Sequence, residues 1–318
     1  MILKGYNVGP LLQRTGKEIL DDGVPGLAAQ TAYYFFFSLF PLFLFLAPLL
    51  GFLGDKEKTF GWLLAQLGST VPGEGIELIR GVVKDVVYAE NAPGIMSIGA
   101  LLAIWAGSNV FTALIDALNT AYDVSETRPW WKKRLIAVVA VIGSGIVLLG
   151  TAAIILGGSR LAHWMTDQLG LSSAVATVWS YVQIPIAFTM LVLLAWLIYI
   201  FLPNVSQKKQ RALTGAIAAA VLWILVTLLF RVYVANFGSY NATYGTIGGV
   251  IVLMTWMYLS MLVLLSGGEL NSELEHGTGA VAPPSGAVYL GRITTGDGPG
   301  LSSTERVVQS APTPVEGG

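Results

Sequence analysis

Asn109, Thr112, Asp116 and Asn119 step by three, four and three residues through an apolar run. On a helix that spacing makes one polar stripe. A carboxylate in the middle of a bilayer costs roughly 3 kcal/mol or more unless it faces protein or water. The stripe is therefore expected to point inward, either lining a polar pathway or hydrogen-bonding across helices to fix their packing. Gln30, Tyr34 and Ser38 repeat the pattern in an earlier run and extend the same candidate pathway. A second set, Arg128, Arg134, Glu269 and Asn271, is expected near one membrane face. There the arginines would balance Glu269 and Asp116, as a gate or as a static pair stapling helix ends. A third set, Tyr240, Tyr244, Gly245 and Gly248, falls in the glycine-rich stretch Phe237–Gly249. It reads as an outer turn, either re-entrant and bordering a substrate site or an ordinary connection with tyrosines at headgroup depth.

These residue types can hold and conduct a solute, but they do not make a catalytic set. There is no cysteine, and the only histidines are His163 and His276, expected on opposite sides of a membrane. No phosphate-binding loop, dinucleotide fingerprint, nucleophile elbow or metal motif occurs. The expectation is no enzyme, no cofactor and no metal, and a net charge of −1 gives no basic bias toward nucleic acid.

The elements that must carry these residues are membrane helices. Of 318 residues, 54% are hydrophobic and only 12% charged, against about 25% charged in a soluble domain. Six uncharged runs are long enough to cross a bilayer, and only a helix satisfies its own backbone in lipid. The spans are placed at about 27–53, 94–118, 135–157, 178–202, 212–234 and 247–268. The fold class is an all-α polytopic membrane protein, with an outer amphipathic helix between the first two spans, where Ile76, Ile79, Val83, Val86 and Val87 recur at helical spacing. Residues 1–26 precede the membrane domain (27–275) and hold a short helix from Pro10 to Gly23, lying in the membrane interface or on the surface. Residues 276–318 read as a disordered tail. Gly143, Gly150 and Gly157 form a small-residue stripe expected to pack against another span or another subunit. Ten Lys and Arg fall on the side of the N-terminus against six on the other, which predicts both termini in the cytoplasm.

The sequence also resembles the YihY/virulence factor BrkB family of bacterial inner-membrane proteins, once labelled ribonuclease BN. The resemblance covers about Ala28 to Glu275. It rests on Ala32-Tyr33-Tyr34, Ser38-Leu39-Phe40-Pro41, Ala117-Leu118-Asn119, Glu126-Thr127-Arg128-Pro129 and Leu202-Pro203-Asn204. Further on come Gly215-Ala216, Tyr244-Gly245 with Gly248, Trp256 with Tyr258, and Gly268-Glu269-Leu270-Asn271. It implies six spans, a bacterial cytoplasmic membrane, and roles in transport or envelope physiology with no settled substrate. The nuclease label is contradicted by the missing ligand cluster. The leading expectation is a transporter of a small or amphiphilic, lipid-like solute, with the bilayer and that solute as partners. The alternative is a non-transporting envelope scaffold.

Overall fold

The computed structural model describes residues 2–3, 6–50, 92–169, 174–205, 207–236 and 238–276. The amphipathic segment expected at 76–87 and the tail beyond 276 lie outside the described residues. Seven helices make up nearly all the rest: α1 (Val8–Asp21), α2 (Val24–Leu50), α3 (Ala92–Ala121), α4 (Trp130–Leu169), α5 (Ala174–Phe201), α6 (Lys209–Asn236) and α7 (Gly238–His276). A two-residue antiparallel pairing of Ile2–Leu3 with Tyr6–Asn7 precedes them. Six of the helices, α2 to α7, are long and apolar enough to cross a membrane.

α1 is amphipathic, and Gly23 ends it. The Gly23 N–H bonds the Leu20 carbonyl at 3.2 Å while its φ is +64°, a conformation open to glycine. Leu11 and Thr15 are buried, and the helix packs on α7. Leu12 and Leu20 stay exposed.

Each span packs on its neighbour in sequence, and α7 closes the set by packing on α2 and more lightly on α3. The result is a ring of antiparallel spans. α2 and α3 make the most extensive contact. Gly99 of α3 lies so close to α2 that a Cβ there would sit 2.7 Å from the Phe45 backbone nitrogen.

Two boundaries differ from the sequence expectation. α7 begins at Gly238 and runs unbroken through Gly245 and Gly248, so the outer turn is the first part of a helix rather than a re-entrant element. Its glycines cost helix propensity, about 1 kcal/mol each, but nothing in it, no proline above all, forbids helix. Side chains of Tyr240 and Tyr244 lie outside the described residues. At the other end α7 does not meet water at Glu269; Glu269, Asn271, Ser272, Glu273 and Glu275 are all buried.

Candidate functional site: the interlocked end of the ring

The end of the bundle that carries the α3–α4 and α5–α6 connections and the last turns of α7 holds most of the charged side chains among the described residues. It is built from the turn that closes α3. The Tyr122, Asp123 and Val124 N–H groups bond back to the carbonyls of Leu118, Thr120 and Asn119 at 2.9–3.0 Å. Asp123 takes a φ of +55°, which an Asp tolerates better than most side chains. This reversal leaves Tyr122 fully buried and swings Glu126 back beside α3.

Glu126 organises the connection. It accepts the Arg128 side chain through both carboxylate oxygens, at 2.8 and 2.7 Å, the Arg128 backbone N–H at 2.9 Å and the Asn119 amide at 3.0 Å. Burial alone would raise its pKa; the Arg128 hydrogen bonds and charge, with Asn119, outweigh that and hold it below the usual carboxylate range. The same guanidinium donates to the Leu202 carbonyl at 2.8 Å. Asn204, two residues on, ties the α5–α6 connection to the α3–α4 connection. Its N–H donates to Asn119 Oδ1 at 2.7 Å, and its amide to the Ser125 carbonyl at 3.1 Å and to Thr127 at 2.9 Å.

α7 enters from the other side. Glu275, almost fully buried, accepts the Lys208 N–H at 3.0 Å and pairs with Arg211. α6 has no acidic residue in its own first turn, so a carboxylate from α7 meets the positive end of its dipole. One turn earlier Asn271 accepts the Gly215 N–H at 2.8 Å and donates to the Ala212 carbonyl at 3.3 Å. Gly215 permits this approach: a Cβ there would collide with Asn271 and the Gly267 carbonyl. Between these layers Tyr122 donates to Gln207 at 2.8 Å, Gln207 donates to the Tyr199 carbonyl, and Tyr199 donates to the Leu264 carbonyl at 2.6 Å. Burial pushes the Tyr122 phenol well above its ordinary range, and the charges of Glu275 and Glu269 act in the same direction. It stays a donor at neutral pH.

Several expected groupings break up. Asn119 is buried in the interlock, but Asp116 is 54% exposed and paired with Lys133. Asp116 sits on the side of α3 roughly opposite Leu118, the residue that packs against Gly268 of α7. Asn109 is on the same outer side, where it accepts from Arg134 at 2.7 Å. Thr112 donates to its own helix, to the Ser108 carbonyl at 2.8 Å. The stripe thus divides: Asn109 and Asp116 meet the first turns of α4 and Asn119 enters the interlock, while Val110, Leu114, Ile115, Ala117 and Leu118 of α3 join the buried core. In α2, Gln30 is exposed, Tyr34 packs against the core, and Ser38 is buried with its hydroxyl on the Phe35 carbonyl.

The expected gate partners are also rearranged. Arg128 is engaged by Glu126, and Arg134 by Asn109 and Trp105, while Asn271 bonds across to α6 and Glu269 is buried in α7. Among the described residues no atom lies within 4 Å of a Cβ position on Gly143 or Gly150, so neither packs closely against another described span. Glu126, Tyr122, Tyr199, Asn204, Gln207, Arg211, Gly215 and Glu275 were not singled out as site residues. The signal for three of them was on hand: Glu126, Asn204 and Gly215 lie in segments that carry the family resemblance, and they converge here with Asn271. Among the described residues no three His, Cys, Asp or Glu side chains come together as a metal site.

Comparison with known proteins follows this map. The ribonuclease-like protein YfkH of Bacillus subtilis is 31% identical over 247 residues, 78% of this chain and 88% of that protein. A UPF0761 membrane protein of Tolumonas auensis is 27% identical over 81% of this chain and 83% of its own length. One from Neisseria meningitidis serogroup B is 23% identical over 81% of this chain and 62% of its own length. No solved structure matches. The model of the virulence factor BrkB family matches residues 15–287, which takes in the whole ring and the interlock. The chain is a multi-pass integral membrane protein and belongs to the virulence factor BrkB family.

Proposed function

We propose that the chain is a transporter of an amphiphilic, lipid-like solute in the bacterial cytoplasmic membrane, with the interlocked end cytoplasmic and acting as the closed gate of the ring. The reading rests on one observation above all: among the described residues, buried side chains concentrate at that end, although α2 and α3 also meet beyond it at Gly99. Nearly all buried side chains of α3, α5, α6 and α7 lie between Ser108 and Tyr122, Val192 and Leu202, Ala212 and Ala220, and Met257 and Glu275. Beyond them the described parts of the same helices expose large apolar side chains such as Leu101, Tyr181, Leu228 and Ile251. On this reading the well-packed end is the seal, and the half with fewer buried side chains among the described residues leads to it.

The apolar character of the spans favours an amphiphile over an ion. From Val232 to Gly268, and from Val24 to Leu50, no residue is charged. An ion would need ligands in that half; an acyl chain needs none. Orientation follows from the basic residues at the interlocked end, among them Arg128, Lys132, Lys133, Lys208 and Arg211. No residue in the set is placed to act as a catalyst.

The test is reconstitution in liposomes with fluorescent phospholipid analogues, following transbilayer movement by chemical quenching of the outer leaflet. Movement above that of protein-free vesicles, raised further by Tyr122→Ala at the seal, is the expected result. Equal rates with and without protein would overturn the transport reading and favour the scaffold.

A further inference from the structure

The outer side of α3 and the start of α4 together carry a polar patch that the transport reading does not use. Trp105, Asn109 and Asp116 lie along one side of α3, and Lys132, Lys133 and Arg134 occupy the first turn and a half of α4. The patch is cationic: three basic side chains against the single carboxylate of Asp116, which is taken by Lys133. Arg134 is one turn inside Trp130 and Trp131, which are 74% and 62% exposed and mark headgroup level by residue type. Its partners are all neutral. It donates to Asn109 Oδ1 at 2.7 Å and to the Trp105 carbonyl at 3.2 Å, and its guanidinium carbon lies 3.9 Å over the Trp105 ring. Its Nε is buried without a hydrogen-bond partner, and no carboxylate pairs with it among the described residues.

A guanidinium held flat against an aromatic ring at lipid depth, with donors to spare, lacks an anion. Lysine side chains could stretch back to water, but this arginine is turned along α3 and fixed there. An interior substrate would not reach it, because this side of α3 faces away from α7. What does reach it is the surrounding leaflet. Phosphate suits the planar fork of Arg and the point charges of Lys, while exposed Trp105, Trp130 and Trp131 offer apolar surface for the glycerol and upper acyl chain.

We propose that this α3–α4 face binds the phosphate headgroup of an anionic phospholipid, with Arg134 and Lys132 as its cationic ligands and Trp105 beneath it. The site is independent of whether the ring transports anything. Its test uses the purified full-length chain in detergent with dioleoyl phosphatidylglycerol, dioleoyl phosphatidylcholine or inorganic phosphate as probe, reading bound lipid by native mass spectrometry and unfolding temperature in parallel. Phosphatidylglycerol is expected to stay bound and to raise the unfolding temperature, and the other two are not. Arg134→Gln should weaken its retention about tenfold, the loss of one charge-assisted contact. Lys132→Gln, at an exposed position with no role in packing, should weaken it by a smaller factor and so tests the site even where Arg134→Gln folds poorly. Lys17→Gln on α1 should change nothing. Equal retention of phosphatidylcholine overturns the proposal, as does full retention of phosphatidylglycerol by both patch variants. A shift with inorganic phosphate alone overturns the lipid as ligand.

Discussion

The two ends of the ring obey different rules. At the interlocked end, two connections and the last turns of α7 are knitted by side chain to backbone hydrogen bonds, ion pairs and glycine contacts. In the other half, the described helices pass one another with little buried between them, except along α2 and α3, where Gly99 meets the α2 backbone. In lipid, apolar side chains gain little by burying one another, since hydrocarbon is as good a neighbour as leucine. Tight packing must be bought by something else, and here polar groups and missing Cβ atoms supply it. The difference teaches that hydrophobicity places this chain in the membrane, while the few polar residues decide where it closes.

The sharpest way to break that contrast is to remove the carboxylate from the interlock. Glu275→Ala would leave Arg211 without its partner and strip the start of α6 of its acceptor. Breaking a buried pair costs about 3–5 kcal/mol, so a large drop in unfolding temperature in detergent is expected. A cost below about 1 kcal/mol would mean the interlock does not hold the end together. Glycine substitutions come next. Gly215→Ala drives a methyl group into Asn271 and the Gly267 carbonyl, an overpacking worth about 1–3 kcal/mol. Gly143→Ala and Gly150→Ala meet nothing within 4 Å among the described residues and should be neutral or stabilising by about 0.5–1 kcal/mol through helix propensity. If all three glycine variants behave alike, the contrast between the ends is wrong.

Much of this was legible in the sequence, and the errors have a common cause. The six spans follow from length and missing charge, the two quantities lipid selects. The start of α1 near Pro10 and its stop at Gly23 follow from local backbone chemistry. What failed was the step from spacing to direction. Asn109, Thr112, Asp116 and Asn119 do share a side of α3, yet period alone does not say which side faces the ring. The assumption that a carboxylate must look inward overlooked Lys133, whose ammonium reaches Asp116 from the next helix. The last span is placed to end at Gly268, before the acidic run. That run is buried instead: Arg211 and the Lys208 N–H meet Glu275 and the Gly215 N–H meets Asn271, and contacts between residues some 60 positions apart leave no trace in periodicity. Part of the glycine stripe of α4 shows the converse: Gly143 and Gly150 permit close approach, but no helix among the described residues makes it.

A smaller effect tests the tyrosine layer between the two connections. Tyr122→Phe keeps the ring and removes the hydrogen bond to Gln207. It should cost about 1 kcal/mol, with more if Gln207 is left without a donor in a buried setting. An unchanged unfolding temperature would show that water or another group replaces the phenol, and that the layer is not sealed.

The smallest effect is the most specific, because it has a sign. The folded pKa of Glu126 lies below its ordinary value of about 4.3. Its ionised form is therefore favoured by folding, and that stabilisation is fully present above the unfolded pKa and lost as pH falls through the folded one. Glu126→Gln never has it. The stability of the two proteins should differ most at neutral pH and converge on acidification, once Glu126 is protonated in both states. A difference that stays constant from neutral to acid pH would mean that shape and neutral hydrogen bonds, not the charge of the Glu126–Arg128 pair, hold the α3–α4 connection. The packed end would then owe its closure to glycine fit and amide contacts such as those of Asn204, and the ion pair would be incidental to it.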